Sequence, residues 1–289
     1  MMSTARTPPA HGTTHRMGIA VLDLALYMLA AAALSLRLLR IGPTFLKEHR
    51  GFAASSAGAA VLLHSVALYG LIFTVHGLNL GFFNTAALEG WLVALIALFT
   101  LFKPAFDSLG IVLFPLTGIA VVLAQALPAD QLVVGDRSWP LDTHILISLL
   151  AYSLLTVAAL QAAVLALQEH RLRTGAAGGI LSALPPLQEM EQFLFQLIAA
   201  GFVLLTVALF TGFIFVQNIM AQHLEHKIIL SLTAWLVFAV LLWGRWRYGW
   251  RGRTAIRWTL GGFVVLVLAY TGSKLVLELI LGRHWGLMS

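Results

Sequence analysis

Histidine is the residue type in this chain best able to carry chemistry, and five positions stand out: His64, His76, His144, His226 and His284. His64 lies inside a long apolar run, whereas the other four lie at the ends of such runs, beside short polar connections. Neutral imidazole is a common ligand for iron, including haem iron, and a helical bundle can hold a flat macrocycle between facing helices. Each histidine taken singly also has a plainer role, as an interhelical hydrogen bond for His64 and as an interfacial polar group for the rest. Four at one depth narrow that difference. Lys227, beside His226, adds a cation suited to a haem propionate, or equally to Glu225 or a lipid headgroup.

Other polar residues within the apolar runs have two readings as well, because ionisable groups there are costly and usually face a bundle interior. Asp23 and Tyr27 share a helical face by their four-residue spacing, as do Lys274 and Glu278. A proton relay through Asp23, Glu89, Lys274 and Glu278 would suit a transporter, yet no paired Gly/Pro interruption in two halves accompanies it. No phosphate-binding glycine loop and no Ser-His-Asp spacing is present, so the expectation is a protein that is not an enzyme. Cysteine is absent, which excludes a disulfide framework, a thiolate metal site and covalent haem attachment.

The elements that must position these residues are membrane helices. The 289 residues are 60% hydrophobic and only 10% charged. Apolar runs recur at about Met17–Leu36, Gly58–Leu78, Ala86–Phe102, Leu109–Leu127, Thr143–Leu167, Phe193–Val216, Ile228–Trp243 and Trp258–Leu281. Each approaches the ~20 residues that a hydrocarbon core requires. The fold class expected is therefore all-α, a polytopic membrane bundle of about eight transmembrane helices. Residues 1–16 form a polar tail, and 17–289 form a single transmembrane domain. The first run is too long for a signal-peptide core and reads as an uncleaved helix.

Charge orients the bundle. Arg37, Arg40, Lys47 and Arg50, then Lys103, then Arg171 and Arg173, then Arg245 to Arg257 occupy alternate connections, while Asp130, Asp136 and Asp142 occupy another. The positive-inside rule places the basic connections in the cytoplasm and both termini outside, with His76, His144, His226 and His284 near the outer surface. It also accounts for the net charge of +6 without any role for nucleic acid. On these boundaries His64 sits about two turns from the cytoplasmic end of the second helix.

Four stretches, taken in order, resemble a known family: THILISLLAYSLLT (Thr143–Thr156), GFVLLTVALFTGFIF (Gly201–Phe215), HKIILSLTAW (His226–Trp235) and GWRGR (Gly249–Arg253). The chain is similar to the cytochrome c assembly proteins, membrane proteins that handle haem, and within them to the HemX/YpjD-like inner-membrane branch. The likeness is strongest over 142–283 and fainter over HGLNLGFFNTAALEGW (His76–Trp91). It implies non-covalent haem b as cofactor, other cytochrome c assembly proteins as partners beside haem and the lipid bilayer, and a bacterial inner membrane as location, with periplasmic termini. It also implies that His144 is an outer haem ligand, that His64 matches a membrane-embedded family histidine, and that Lys227 survives from the family's outer haem platform. His226 or His284 would stand opposite His144.

The chain departs from the family pattern as well. The platform between Gly212 and Trp235 lacks its Trp-Gly and Trp-Asp elements, Trp243 stands where a second membrane histidine is expected, and His284 lies one turn beyond the expected second outer histidine near Leu281. Two further functions thus accompany the haem-binding or haem-presenting one: a membrane scaffold or regulatory protein that keeps the fold without haem, and a small-solute transporter.

Overall fold

A backbone in hydrocarbon has no water to bond, so it must close its own hydrogen bonds, and a chain this apolar does so as helices. The computed structural model describes residues 10–41, 50–74, 77–102, 106–127, 132–133, 139–175, 184–215 and 225–272. Among these are eight α-helices: α1 (Ala10–Leu38), α2 (Gly51–Ile72), α3 (Phe82–Thr100), α4 (Asp107–Ala126), α5 (Trp139–Arg173), α6 (Leu187–Phe215), α7 (Glu225–Tyr248) and α8 (Arg253–Val267). The last continues as a π-helical turn, Leu268–Gly272. Helices α1 to α7 are long and apolar enough to cross a membrane, and α8 with its π turn spans about 30 Å. The protein is a polytopic helical membrane bundle. Three strands of two or three residues, β1 (Phe73–Thr74), β2 (Gly77–Asn79) and β3 (Leu132–Val133), pair antiparallel in the order β1-β2-β3 and tie the α2–α3 connection to the segment after α4.

The helices form two groups of four. In the first, α1 packs on α4 and α2, and α3 packs on α4; in the second, α5 packs on α6 and α8, and α7 on α8. Small residues make the closest approaches possible. A Cβ on Gly118 would lie 2.7 Å from Leu24 Cδ1, and one on Gly110 would lie 2.6 Å from Leu34 Cδ1, so α1 rides directly over two glycines of α4. Gly201 has the same role between α6 and α5, where an added Cβ would meet Leu155 at 2.8 Å. The groups join mainly through α3 against α5, aided by the Phe106 and Phe193 rings, stacked with centroids 3.8 Å apart.

One end of the bundle is basic and internally paired. Arg37 and Arg50 both hold Asp107 at the start of α4, Arg50 at 3.0 Å, and Arg50 also donates to the Leu101 carbonyl at 2.9 Å. This set locks the ends of α1, α2, α3 and α4. It also explains where α2 begins. The sequence suggests a start near Gly58, but the run FAASSAG is helical from Gly51, because Ala53, Ser56 and Ala57 are buried and the Ser56 hydroxyl bonds back to Phe52 and Ala53 carbonyls. The other end of α2 is correspondingly earlier, at Ile72, after which Phe73 and Thr74 pair as a strand with Leu78 and Gly77 rather than extending the helix.

Candidate functional site

His144 lies on α5 near the end of the bundle opposite the arginines, half buried against α6. Its imidazole occupies the space a side chain would take at Gly212, where an added Cβ would come within 2.9 Å of Cε1. Its Nδ1 is 3.0 Å from Thr211 Oγ1. The Thr211 hydroxyl donates back to its own helix, with Val207 and Ala208 carbonyls at 2.9 and 3.0 Å. A hydroxyl has one proton, so toward His144 the oxygen accepts and Nδ1 carries the hydrogen. The other ring nitrogen, Nε2, is then the one with the lone pair, which is the tautomer a metal requires.

Ser148 and Tyr152, one and two turns along α5, are expected on the same face as His144. Tyr152 diverges from it. Ser148 spends its hydroxyl on the His144 carbonyl at 2.7 Å, and Tyr152 faces Phe263 and Tyr270 of the last helix, with ring centroids at 6.0 and 5.1 Å. Eight residues at 100° each leave the two side chains about 80° apart, enough to send one to α6 and the other to α8.

Lys227 opens α7 and lies with Nζ 5.9 Å from the centroid of the Tyr270 ring, which also meets Tyr152. Below them Thr156 donates to Glu89 Oε1 at 3.1 Å, so α3, α5, α7 and the π turn share a polar seam within the bundle. The π turn, which inserts Tyr270 into this seam, could not be read from apolar periodicity. His226 is the second residue of α7, and its side chain lies outside the described residues, as do His76, Gln222, His223, Lys274, Glu278 and His284. The structure therefore brings Lys227 to Tyr270 and His144 to Thr211.

His64 belongs to a different place. With α2 beginning at Gly51 it is about 20 Å along the helix, near mid-bundle, not two turns from the basic end. It is fully buried with Tyr27 and Asp23, its Nδ1 3.3 Å from the Tyr27 hydroxyl and 3.6 Å from Asp23 Oδ2. Its Nε2 and both Asp23 carboxylate oxygens lack hydrogen-bond partners. The predicted shared face of Asp23 and Tyr27 is thus the face that meets His64, a partner 37 residues beyond Tyr27 that spacing could not supply. Trp243, where the family pattern expects a second membrane histidine, is 53% exposed and packs edge-on to Tyr248, so that position looks away from the bundle core. Among the described residues no group of three or more His, Asp or Glu side chains converges as a metal site. The haem expectation therefore rests on an axial imidazole, for which His144 has the tautomer, while at His64 the tautomer follows from which way the Tyr27 contact runs.

A family model described as cytochrome C assembly protein matches residues 54–281. Among curated relatives, the inner membrane protein YpjD of Escherichia coli strain K12 is 31% identical over 258 residues, covering 88% of this chain and 98% of the relative. Protein HemX of Brevibacillus brevis is 21% identical over 225 residues, covering 71% and 83%. The cytochrome c biogenesis protein CcsA of Prochlorococcus marinus strain NATL1A is 30% identical over 91 residues, covering 31% and 29%. No solved structure matches the chain.

Proposed function

Because the chain belongs to the cytochrome c assembly protein family, we propose that it binds or presents haem b in a bacterial inner membrane during cytochrome c assembly, without transforming it. His144 would hold the haem iron in this reading, through the Nε2 that the Thr211 hydrogen bond leaves unprotonated. That contact is the observation that carries the proposal. His226 or His284 would be the second histidine to hold it, Lys227 would pair with a propionate, and His64 is a further, membrane-embedded candidate. Haem would supply the iron centre; the chain supplies an imidazole in a fixed tautomer.

Orientation follows the arginines: the basic end faces the cytoplasm and the His144 end the periplasm, with both termini outside. The partners are haem, the bilayer and other cytochrome c assembly proteins.

The absorption spectrum of the purified protein tests the assignment. A Soret band with low-spin bis-histidine features is expected, and His144→Ala should lose at least tenfold in retained haem. A wild-type protein that shows no Soret band after haem supplementation overturns it in favour of the scaffold, the reading supported by the outward-facing Trp243.

A further inference from the structure

At the basic end, the end of α5, the start of α6 and the α7–α8 turn form a cleft of about 570 Å³ whose apolar lining is Leu165, Leu172 and Leu187. A second hollow adjoins it, and the two share Leu187, Glu191 and Arg251. The turn that forms one wall depends on glycine, since Gly249 and Gly252 have φ of 65° and 53°.

The charges around this cleft do not cancel. Glu169 is met by Arg173 at 2.8 Å and by Arg253 at 3.2 Å. Glu191 is met by Arg245 at 2.7 Å and by the Gly252 amide at 3.4 Å. Both carboxylates are thus supplied by the protein itself. Arg251, exposed and on the wall of both hollows, makes no ion pair among the described residues. Three of the aromatic residues on the neighbouring α7 are open to the surroundings: Trp243, Trp246 and Tyr248 are 53%, 82% and 61% exposed. Such aromatic residues sit at the level of lipid headgroups, which places the cleft at the depth of the phosphates.

We propose that this cleft binds the phosphate of an anionic phospholipid headgroup, with Arg251 as its principal contact and the three leucines beneath the glycerol. A basic pocket between helices selects such lipids by charge, and a guanidinium matches two phosphate oxygens at once. The surplus positive charge disfavours a zwitterionic headgroup, whose own cation would meet the arginines.

Native mass spectrometry of the purified full chain, with phosphatidylglycerol, cardiolipin or phosphatidylcholine added to the detergent, tests this. The two anionic lipids should be retained and phosphatidylcholine should not. Arg251→Gln should lower anionic-lipid occupancy about fivefold. Arg251→Lys, which keeps the charge and loses the two-oxygen match, should fall between Arg251→Gln and the wild type. Arg171→Gln, at an exposed arginine of α5 that does not line the cleft, should leave occupancy unchanged. Equal retention of all three lipids, unchanged occupancy in Arg251→Gln, or an equal loss in Arg171→Gln would overturn the proposal. Displacement of the lipid adduct by millimolar inorganic phosphate would also overturn it, by identifying a soluble phosphate as the ligand. Circular dichroism of Arg251→Gln should match that of the wild type.

Discussion

At the scale of residues, Thr211 matters because it fixes where the His144 proton resides. Thr211→Val keeps the shape and removes the acceptor, leaving Nδ1–H without its partner. Haem affinity should fall by about 10- to 100-fold, as when other partners of ligating histidines are lost, and Thr211→Ser should restore it. Titration of the apoprotein with haem measures both, and equal affinities for Thr211→Val and wild type would remove the threonine from the site. Lys227→Glu should likewise lower haem occupancy if its ammonium pairs with a propionate, and unchanged occupancy would return it to an interfacial role beside Tyr270. Only part of this was legible in the sequence. His144 stands out because it opens an apolar run and imidazole is common in iron sites. Thr211 does not, since a threonine in an apolar run resembles any other and its partner is 67 residues away. Asp23 and His64 pose the same difficulty: each is visible alone, but the contact depends on how α1 crosses α2.

At the scale of elements, the C-terminus of α1 carries a removable strain. Ile41 N–H bonds to the Leu36 carbonyl and Arg40 N–H to the Arg37 carbonyl, both at 3.0 Å, the two bonds of a helix-ending motif whose left-handed position is usually glycine. Here it is Arg40, at φ 55° and exposed. Arg40→Gly should therefore stabilise the protein by up to about 1 kcal/mol, seen as a higher melting midpoint in detergent. The opposite is expected at Gly244, where an added Cβ would lie 2.4 Å from Trp250 Cε3: Gly244→Ala should displace that ring and lower the midpoint. Helix number and order were readable from the apolar runs, since long apolar stretches have few alternatives in a membrane. The start of α2 was not, because Ala, Ser and Gly look like linker material until a neighbouring helix packs on them.

At the scale of the whole molecule, the alternation of basic connections predicts a single orientation. The natural chain has no cysteine, so single substitutions report without background. Cysteine at Trp139, 79% exposed at the start of α5, should react with a membrane-impermeant maleimide in intact cells, and cysteine at Thr254, exposed at the start of α8, should react only after lysis. The reverse pattern would turn the bundle over and move His144 to the cytoplasmic side. The two groups of helices satisfy most of their polar contacts separately, Arg37, Arg50 and Asp107 in the first and Glu169, Glu191 and four arginine-lined contacts in the second. Fragments divided between α4 and α5 and expressed together should therefore co-purify, joined by the α3–α5 packing and the Glu89–Thr156 bond. The π-helical turn at Leu268–Gly272 is the means by which a helix takes in an extra residue without breaking. Removing one residue there would restore the α repeat, since the π turn closes around one residue more than an α turn does. A one-residue change of length at this turn is thus taken up locally, as an exchange between a wider and a tighter closure, and need not interrupt the hydrogen-bonded ladder.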